Sequence, residues 1–168
     1  PRNFLTVLRF GALTFFIIAM ARPQSGKVFS ETNSEGVDIL LALDTSGSMQ
    51  ALDFKLDGKR VNRLTVVKKV VTDFVKKRER DRIGLVVFGK DAFVQCPLTL
   101  DHGILLEFMK EVKLGMAGDA TDIGSAIGAG VTRMKDLKSK SKVLILLTDG
   151  RSTISQIPAI KAAEIAKS

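Results

Sequence analysis

Three side chains that carry oxygen atoms follow directly after an aliphatic run in this chain. Asp44, Ser46 and Ser48 occupy alternate positions, and Gly47 separates the two serines. A carboxylate and two hydroxyls form a set of hard oxygen ligands, which suits Mg²⁺, Mn²⁺ or Ca²⁺. The same residue types also serve as helix caps after a strand. The motif alone therefore leaves a cation site and a capping role open.

Two further oxygen ligands lie downstream. Thr121 belongs to the Gly-rich segment 115–124, and Asp149 follows the aliphatic run 142–147 in a Thr-Asp-Gly sequence. The Gly-rich segment lacks the Gly-Lys-Ser/Thr of a phosphate-binding loop and follows no strand of its own, so nucleotide binding is not expected. Two of the long aliphatic runs, ending before Asp44 and before Asp149, thus lead into an acidic residue.

Aliphatic runs alternate with amphipathic segments along the chain. The runs are short and continuously apolar, which is typical of strands buried on both faces. We predict strands over 37–43, 83–88 and 142–147, an edge strand over 92–95 that ends before Pro97, and helices over 64–80, 101–112, 123–134 and 158–167. This order predicts a three-layer, doubly wound α/β fold with a mainly parallel sheet.

The expected fold brings the oxygen ligands together. In such sheets, ligands bind beyond the carboxyl ends of the strands, where the strand order reverses. If strands 37–43 and 143–147 are neighbours at that point, Asp44 and Asp149 face one crevice. The Gly-rich loop lies on the same side and can bring Thr121 to it.

Composition excludes several other kinds of site. The 168 residues are 45% hydrophobic, which is enough for one domain with a core, and they contain no Trp or Tyr. A single cysteine, Cys96, excludes an internal disulfide and a Cys-based zinc site. A single histidine, His102, disfavours a His-rich metal site and a Ser-His-Asp triad. We expect Cys96 to lie in the core and His102 in the first turn of a helix.

The net charge of +8 is concentrated in one segment. Residues 55–82 contain eleven Lys or Arg and four Asp or Glu, a net charge of +7. Such a stripe can attract nucleic acid or an anionic membrane. The segment has no aromatic stacking pattern and no nucleic-acid motif, so a solvated helix face is favoured and no nucleic-acid partner is expected.

The N-terminal segment predicts a membrane anchor. Residues 4–21 are apolar apart from Arg9 and two threonines, although about 20 apolar residues are needed to cross a bilayer. A signal peptide and a buried helix are the alternatives, and the sequence around Arg22 is a poor cleavage context. Charges before the segment favour a cytoplasmic N-terminus, which places the domain on the extracytoplasmic side of a bacterial membrane.

The combined motifs resemble the metal-ion-dependent adhesion site (MIDAS) of von Willebrand factor A-type domains. The resemblance covers residues 37–168 and is carried by Asp44-x-Ser46-x-Ser48, Thr121 and Asp149 in that order. It implies that the two serines and Thr121 offer hydroxyl oxygens to a divalent cation, with both aspartates acting directly or through water. It also implies a protein partner that offers a Glu or Asp carboxylate.

A finer resemblance is to membrane-anchored bacterial proteins of the aerotolerance-operon (Bat) type. It is carried by Ala-Arg-Pro-Gln at 21–24, Gly-Val-Asp-Ile at 36–39, Asp-Arg-Ile-Gly at 81–84 and Gln-Cys-Pro-Leu-Thr-Leu-Asp at 95–101. That type implies a domain tethered beside a membrane, with other A-type proteins of the same operon and a MoxR-type AAA+ ATPase as partners. Ala120 departs from the pattern, because a second glycine is common there.

The expected organisation is an anchor over 1–22, a juxtamembrane linker over 23–36 and an A-type domain over 37–168. The last strands of such a domain are not recognisable, so we expect an incomplete domain with strand 143–147 at an exposed edge.

Three functions remain open from the sequence. The first is a non-enzymatic, metal-dependent module that binds proteins. The second is Mg²⁺-dependent phosphoryl transfer with Asp44 as the nucleophile, although Ser46 stands where a second aspartate is usual and no lysine adjoins Asp149 or Thr121. The third is a structural scaffold without a ligand.

Overall fold

The computed structural model describes residues 2–20, 36–150, 152–154 and 158–167. The chain divides into two units, Pro1–Thr32 and Asn33–Ser168. Residues 23–35 of the expected linker lie outside the described ranges.

The first unit contains one helix, α1 (Arg2–Met20). Its large apolar side chains are exposed, among them Phe4, Phe10 and Phe15. Among the described residues, no helix has both the length and the apolar character needed to cross a bilayer. The expected transmembrane anchor over 1–22 is therefore not confirmed.

The second unit is built on a four-stranded sheet of order β5-β4-β1-β6. Strand β1 pairs in parallel with β4 on one side and with β6 on the other, whereas β5 runs antiparallel to β4. The bounds are β1 (Asp38–Asp44), β4 (Arg82–Phe88), β5 (Ala92–Thr99) and β6 (Lys142–Leu147). The predicted α/β class and the mainly parallel sheet are confirmed.

Strand β1 is buried along its whole length because helices cover both faces of the sheet. Its alternate residues Ile39, Leu41 and Leu43 join the core under α2 (Arg63–Lys76) and α3 (His102–Glu111). Leu40 and Ala42 join the core on the opposite face, which includes residues of α4 (Ile123–Met134). A final helix, α5 (Ala159–Lys167), packs against α4. This two-sided burial explains why the run is continuously apolar.

Local capping sets where three helices begin. Asn62, Asp101 and Asp122 each accept a hydrogen bond from the backbone N–H three residues on, at 2.8, 3.0 and 3.1 Å. Such caps satisfy a donor that the first helical turn leaves without a partner. Cys96 is buried in the core, and His102 opens α3, as expected.

Three segments differ from what the sequence predicts. Residues 54–61, for which no strand is predicted, form a hairpin of β2 (Phe54–Leu56) and β3 (Lys59–Val61). Asp57 and Gly58 both have positive φ, which is the geometry that tight hairpin turns require. Strand β5 continues through Pro97 to Thr99, because it is an edge strand with register shifts against β4. Helix α2 ends at Lys76 rather than at residue 80.

The strand order reverses at β1. The chain moves from β1 to β4 through α2, and the later strand β6 returns to the other side of β1. The strands that precede Asp44 and Asp149 are neighbours, which is the condition for both aspartates to face one crevice. A crevice outside the carboxyl ends of β1 and β6 is the place where such sheets hold ligands.

Candidate metal site

Asp44 is the last residue of β1 and is fully buried. One carboxylate oxygen accepts a hydrogen bond from the backbone N–H of Ser46 at 2.8 Å. The other accepts one from the Thr148 hydroxyl at 2.6 Å, just after β6. Both oxygens are therefore satisfied by the chain, and the carboxylate ties the end of β1 to the end of its neighbour β6.

Ser46 is the N-cap of a short 3₁₀ helix, Gly47–Gln50, and Ser48 lies within that helix; residues 46–50 are called the serine turn. Their hydroxyl oxygens are 3.1 Å apart, and Ser48 Oγ donates to Asp149 Oδ1 at 2.7 Å. A hydroxyl has one proton, so Ser46 must donate to Ser48. The result is a continuous chain of oxygen atoms from Ser46 to Asp149, and Ser48 is exposed at its centre.

Thr121 is placed near this chain by its loop. The backbone N–H of Gly47 donates to the Asp119 carbonyl at 3.1 Å, which joins the serine turn to the Gly-rich segment. Thr121 is 4% exposed, and its backbone exchanges hydrogen bonds with Thr153, both at 2.9 Å. Its hydroxyl forms no hydrogen bond within the described part of the chain. The structure thus places Thr121 in the adjoining loop but not in the chain of hydroxyls.

The Gly-rich loop is held against the strand ends by its backbone. Gly115 N–H donates to the Thr45 carbonyl at 2.7 Å, and Asp91 N–H donates to the Ala117 carbonyl at 3.0 Å. Gly115 and Gly118 have φ values of 72° and 89°, which favour glycine. A Cβ atom on Gly89 would lie 2.3 Å from the Gly118 carbonyl oxygen. The loop can approach β4 this closely because residue 89 has no side chain.

Sequence reasoning missed two contributors, Thr148 and Arg63. The Arg63 guanidinium donates to Asp149 Oδ2 and to both carboxylate oxygens of Asp53, at 3.2, 2.9 and 2.5 Å for Asp53. Arg63 is the first residue of α2, where a cation is disfavoured by the helix dipole. A cation at this unfavourable position indicates that Arg63 is held there by contacts with another part of the fold. Asp53 is connected to the site through Arg63.

Hydrogen bonds and charge set the ionisation of this cluster. Burial acts to raise the pKa of Asp149, but the hydrogen bonds from Arg63 and Ser48 and the charge of Arg63 outweigh it and hold that pKa below its usual value. The hydrogen bond from Arg63 likewise lowers the pKa of Asp53. Hydrogen bonds to Asp53 and Asp149 raise the pKa of Arg63. Asp149 is thus a carboxylate at neutral pH, as a cation ligand must be.

The donor set fits a hard divalent cation. Ser46, Ser48 and Asp149 present only oxygen atoms within hydrogen-bond distance of one another, and Mg²⁺ and Ca²⁺ prefer oxygen ligands. No group of three or more His, Cys, Asp or Glu with metal-binding geometry occurs within the described ranges. Any cation held at this crevice would therefore depend on hydroxyl ligands, whereas a soft metal would find no suitable donors.

The sequence matches the family model for the von Willebrand factor type A domain over residues 39–151. An uncharacterized protein of Borreliella burgdorferi is 31% identical over 139 residues, which are 83% of this chain and 40% of that protein. The chain thus spans less than half the length of this curated relative.

Solved structures place the chain more finely. The BatB protein of Bacteroides thetaiotaomicron is 30% identical with a TM-score of 0.67, over 78% of this chain and 61% of that one. An aerotolerance-related membrane protein of Bacteroides fragilis is 29% identical with a TM-score of 0.70, over 79% and 62%. Proximal thread matrix protein 1 of the mussel byssus, solved with a zinc-occupied MIDAS motif, is 22% identical with a TM-score of 0.62, over 79% and 35%, and shares the fold.

The fold, the oxygen cluster at the strand-order reversal and these similarities agree. The chain belongs to the von Willebrand factor type A domain family, and within it to the aerotolerance-related, Bat-like type.

Proposed function

We propose that this protein is a non-enzymatic binding module that holds a divalent cation, such as Mg²⁺, at Ser46, Ser48, Thr121, Asp44 and Asp149. Through that ion it would bind a Glu or Asp side chain of a protein partner. The observation that carries the proposal is the chain of oxygen atoms that joins Ser46, Ser48 and Asp149 across two strand ends. A relative in fold was solved with zinc at its MIDAS motif, which supports the capacity of this fold to hold a metal ion.

The proposed roles of the site residues differ with their burial. Asp44 is buried and bonded to the backbone of Ser46 and to Thr148, so it fixes the position of the serine turn. Ser48 and Asp149 stand at the open side of the crevice and supply one hydroxyl and one carboxylate oxygen. A bound Mg²⁺ would offer a Lewis-acidic position at which a partner's carboxylate replaces water.

The proposal is tested by titrating the full chain with Mn²⁺ and measuring free Mn²⁺ by electron paramagnetic resonance. Ser48→Ala should weaken Mn²⁺ binding markedly, because it removes one proposed ligand oxygen from an exposed position and leaves the core unchanged. Ser139→Ala is the matched control, since that hydroxyl also bonds an aspartate, Asp38, but lies away from the crevice. Equal Mn²⁺ affinity in wild type and Ser48→Ala would refute the metal site.

The partner half of the proposal needs a second measurement. Binding of a Glu-containing peptide should require Mg²⁺ or Mn²⁺, disappear in EDTA and weaken in Ser48→Ala. Unchanged peptide binding in EDTA would show that any partner binds elsewhere.

Burial argues against the phosphoryl-transfer alternative. A nucleophilic carboxylate must reach a phosphorus atom, but Asp44 is fully buried and both its oxygens accept hydrogen bonds from the chain. Asp149 is more exposed, but its carboxylate is bonded to Ser48 and Arg63.

We also propose that the protein works at a membrane. Two observations support this: an aerotolerance-related relative is named as a membrane protein, and α1 exposes many large apolar side chains. Replacing Phe15 and Phe16 by Asp should abolish flotation with phosphatidylethanolamine–phosphatidylglycerol vesicles, whereas Phe93→Asp should not. Flotation of both variants would locate the membrane contact outside α1.

A further inference from the structure

A cavity of about 310 Å³ adjoins the candidate metal site. Thr148 and Asp149 line this cavity. The Asp149 carboxylate also accepts the hydrogen bond from the Ser48 hydroxyl. A group bound in this cavity can therefore contact Asp149, which is itself a member of the oxygen cluster.

Half of the residues that line the cavity are apolar. They are Met49 from the 3₁₀ helix, Phe54 from β2, and Val66 and Val67 from α2. Phe54 is 47% exposed, whereas Met49 is buried and Val66 and Val67 are half-buried. Leu52, which lines the adjacent concavity, is also exposed. An exposed aromatic ring beside an apolar cavity is typical of an anchor point for a partner's side chain.

Arg63 contacts both acidic residues of the lining. Its guanidinium donates to Asp53 and Asp149, and all three residues line the cavity. The hairpin beyond Asp53 exposes three further cations, Lys55, Lys59 and Arg60. Together with Asp53, Asp57, Arg63 and Asp149, these cations leave a net charge of +1 around the cavity, which favours an acidic partner over a basic one by a small margin.

We propose that this cavity binds an apolar side chain of the partner, close in sequence to the acidic residue that the metal site binds. The partner's recognised segment then combines one Glu or Asp with an aliphatic or aromatic residue about two positions away, since side chains two apart on an extended segment point to the same side. The volume is at the lower end for ligand pockets and suits one side chain rather than a cofactor. This inference rests on the proposed function.

The test is a selection of displayed peptides on the full chain in detergent with Mn²⁺, eluted with EDTA. Every peptide carries one fixed Glu and randomised neighbours. Wild type should enrich apolar residues near the Glu about tenfold, which corresponds to about 1.4 kcal/mol. Phe54→Ser should still select the Glu-containing peptides but lose the apolar preference. Phe93→Ser is the matched control, because it removes a partly exposed phenylalanine on β5, and it should select as wild type does.

The outcomes separate the two proposals. Mn²⁺-dependent selection without an apolar preference, or an apolar preference that survives Phe54→Ser, would overturn the cavity proposal and leave the metal-dependent function intact. A peptide yield that does not differ between Mn²⁺ and EDTA would overturn both. Enrichment of basic residues near the Glu would contradict the charge argument and with it the proposed occupant.

Discussion

The contact between Arg63 and Asp149 places a fixed positive charge beside a proposed cation ligand. Asp53 shares the same guanidinium, so the three side chains together carry one negative charge. Asp53 therefore offsets the repulsion that Arg63 alone would exert on a divalent ion. At the residue scale, the affinity of the crevice for cations depends on the combined charge of Arg63, Asp53 and Asp149.

The first prediction tests this balance. Arg63→Gln should tighten Mn²⁺ binding and Asp53→Asn should weaken it, each by about two- to fivefold, since partly exposed charges are screened. Calorimetric titration with Mn²⁺ measures both. Arg78→Gln is the control, because it removes an equal charge that pairs with Asp81 and stacks on Phe74. Shifts of the same sign in both variants would show that Arg63 acts by position rather than by charge.

The second prediction concerns Thr121, whose hydroxyl is free of hydrogen bonds to the rest of the described chain. Thr121→Val keeps the shape and removes the oxygen. If Thr121 is a cation ligand, Mn²⁺ affinity should fall at least about tenfold, because even outer partners of metal ligands contribute that much. Thr72→Val on α2 is the control. An unchanged affinity in Thr121→Val would remove Thr121 from the ligand set.

Residue types and spacing identify some of these side chains but not others. Asp44, Ser46 and Ser48 lie within five consecutive positions, so their proximity is a property of the local sequence. Arg63 contacts a carboxylate 86 positions away, and Thr148 contacts one 104 positions away. Such pairs arise from the strand order, which a local pattern does not contain.

At the scale of elements, an ion pair fastens the start of β1 to β4. The Asp38 carboxylate, 1% exposed, accepts hydrogen bonds from Arg82 at 2.6 and 2.5 Å and from Ser139 at 2.5 Å. Burial acts to raise the pKa of Asp38, but the bonds from Arg82 and Ser139 and the charges of Arg82 and Lys142 outweigh it and lower that pKa. This end of the sheet lies opposite to the oxygen cluster.

The third prediction follows from that lowered pKa. A carboxylate with a lowered pKa in the folded state stabilises the fold above its ordinary pKa, and loses that effect as the pH falls through the folded value. Asp38→Asn should therefore cost about 1–3 kcal/mol at pH 7 and progressively less below about pH 4. Urea unfolding at several pH values measures the difference. Glu107→Gln, in an exposed pair with Lys110, should show little effect at any pH.

The fourth prediction concerns the packing of the Gly-rich loop on β4. Gly89→Ala should destabilise the domain by about 1–3 kcal/mol, because the new methyl group meets two carbonyl oxygens and the loop must move. Mn²⁺ affinity should fall with it, since the same loop carries Thr121. Gly128→Ala in α4 is the control: its Cβ meets nothing within 4 Å, so it should stabilise by about 0.5–1 kcal/mol. Thermal unfolding with and without Mn²⁺ distinguishes the two effects.

Elements with a strong pattern could be predicted, and elements set by tertiary contacts could not. Strand β1 and helix α4 follow from uninterrupted apolar periodicity, whereas the hairpin β2–β3 is short, polar and has only an Asp57-Gly58 turn as a signal. Pro97 was taken as the end of β5, but an edge strand tolerates a residue without an N–H.

At the scale of the molecule, the fold class was predictable because the order of apolar runs and helices restricts the topology, whereas the pairing of β1 with β6 stood only as a condition. The position of the cavity beside the crevice was not predictable, because the cavity is lined in part by the hairpin that follows the 3₁₀ helix. The same restriction explains why relatives with 29% and 30% identity retain the architecture.

The fifth prediction follows from the central place of β1, which has a hydrogen-bonded strand on each side and a helical layer on each face. Amide hydrogens exchange with deuterium only when such bonds open, and opening costs most where neighbours are most numerous. Peptides covering 38–44 should therefore exchange last, and those covering 92–99 on the edge strand much sooner, by mass spectrometry. Comparable exchange in both would contradict this. Because the serine turn follows β1 directly, we expect Ser48 to exchange water with the solvent while the hydrogen bonds of β1 remain closed.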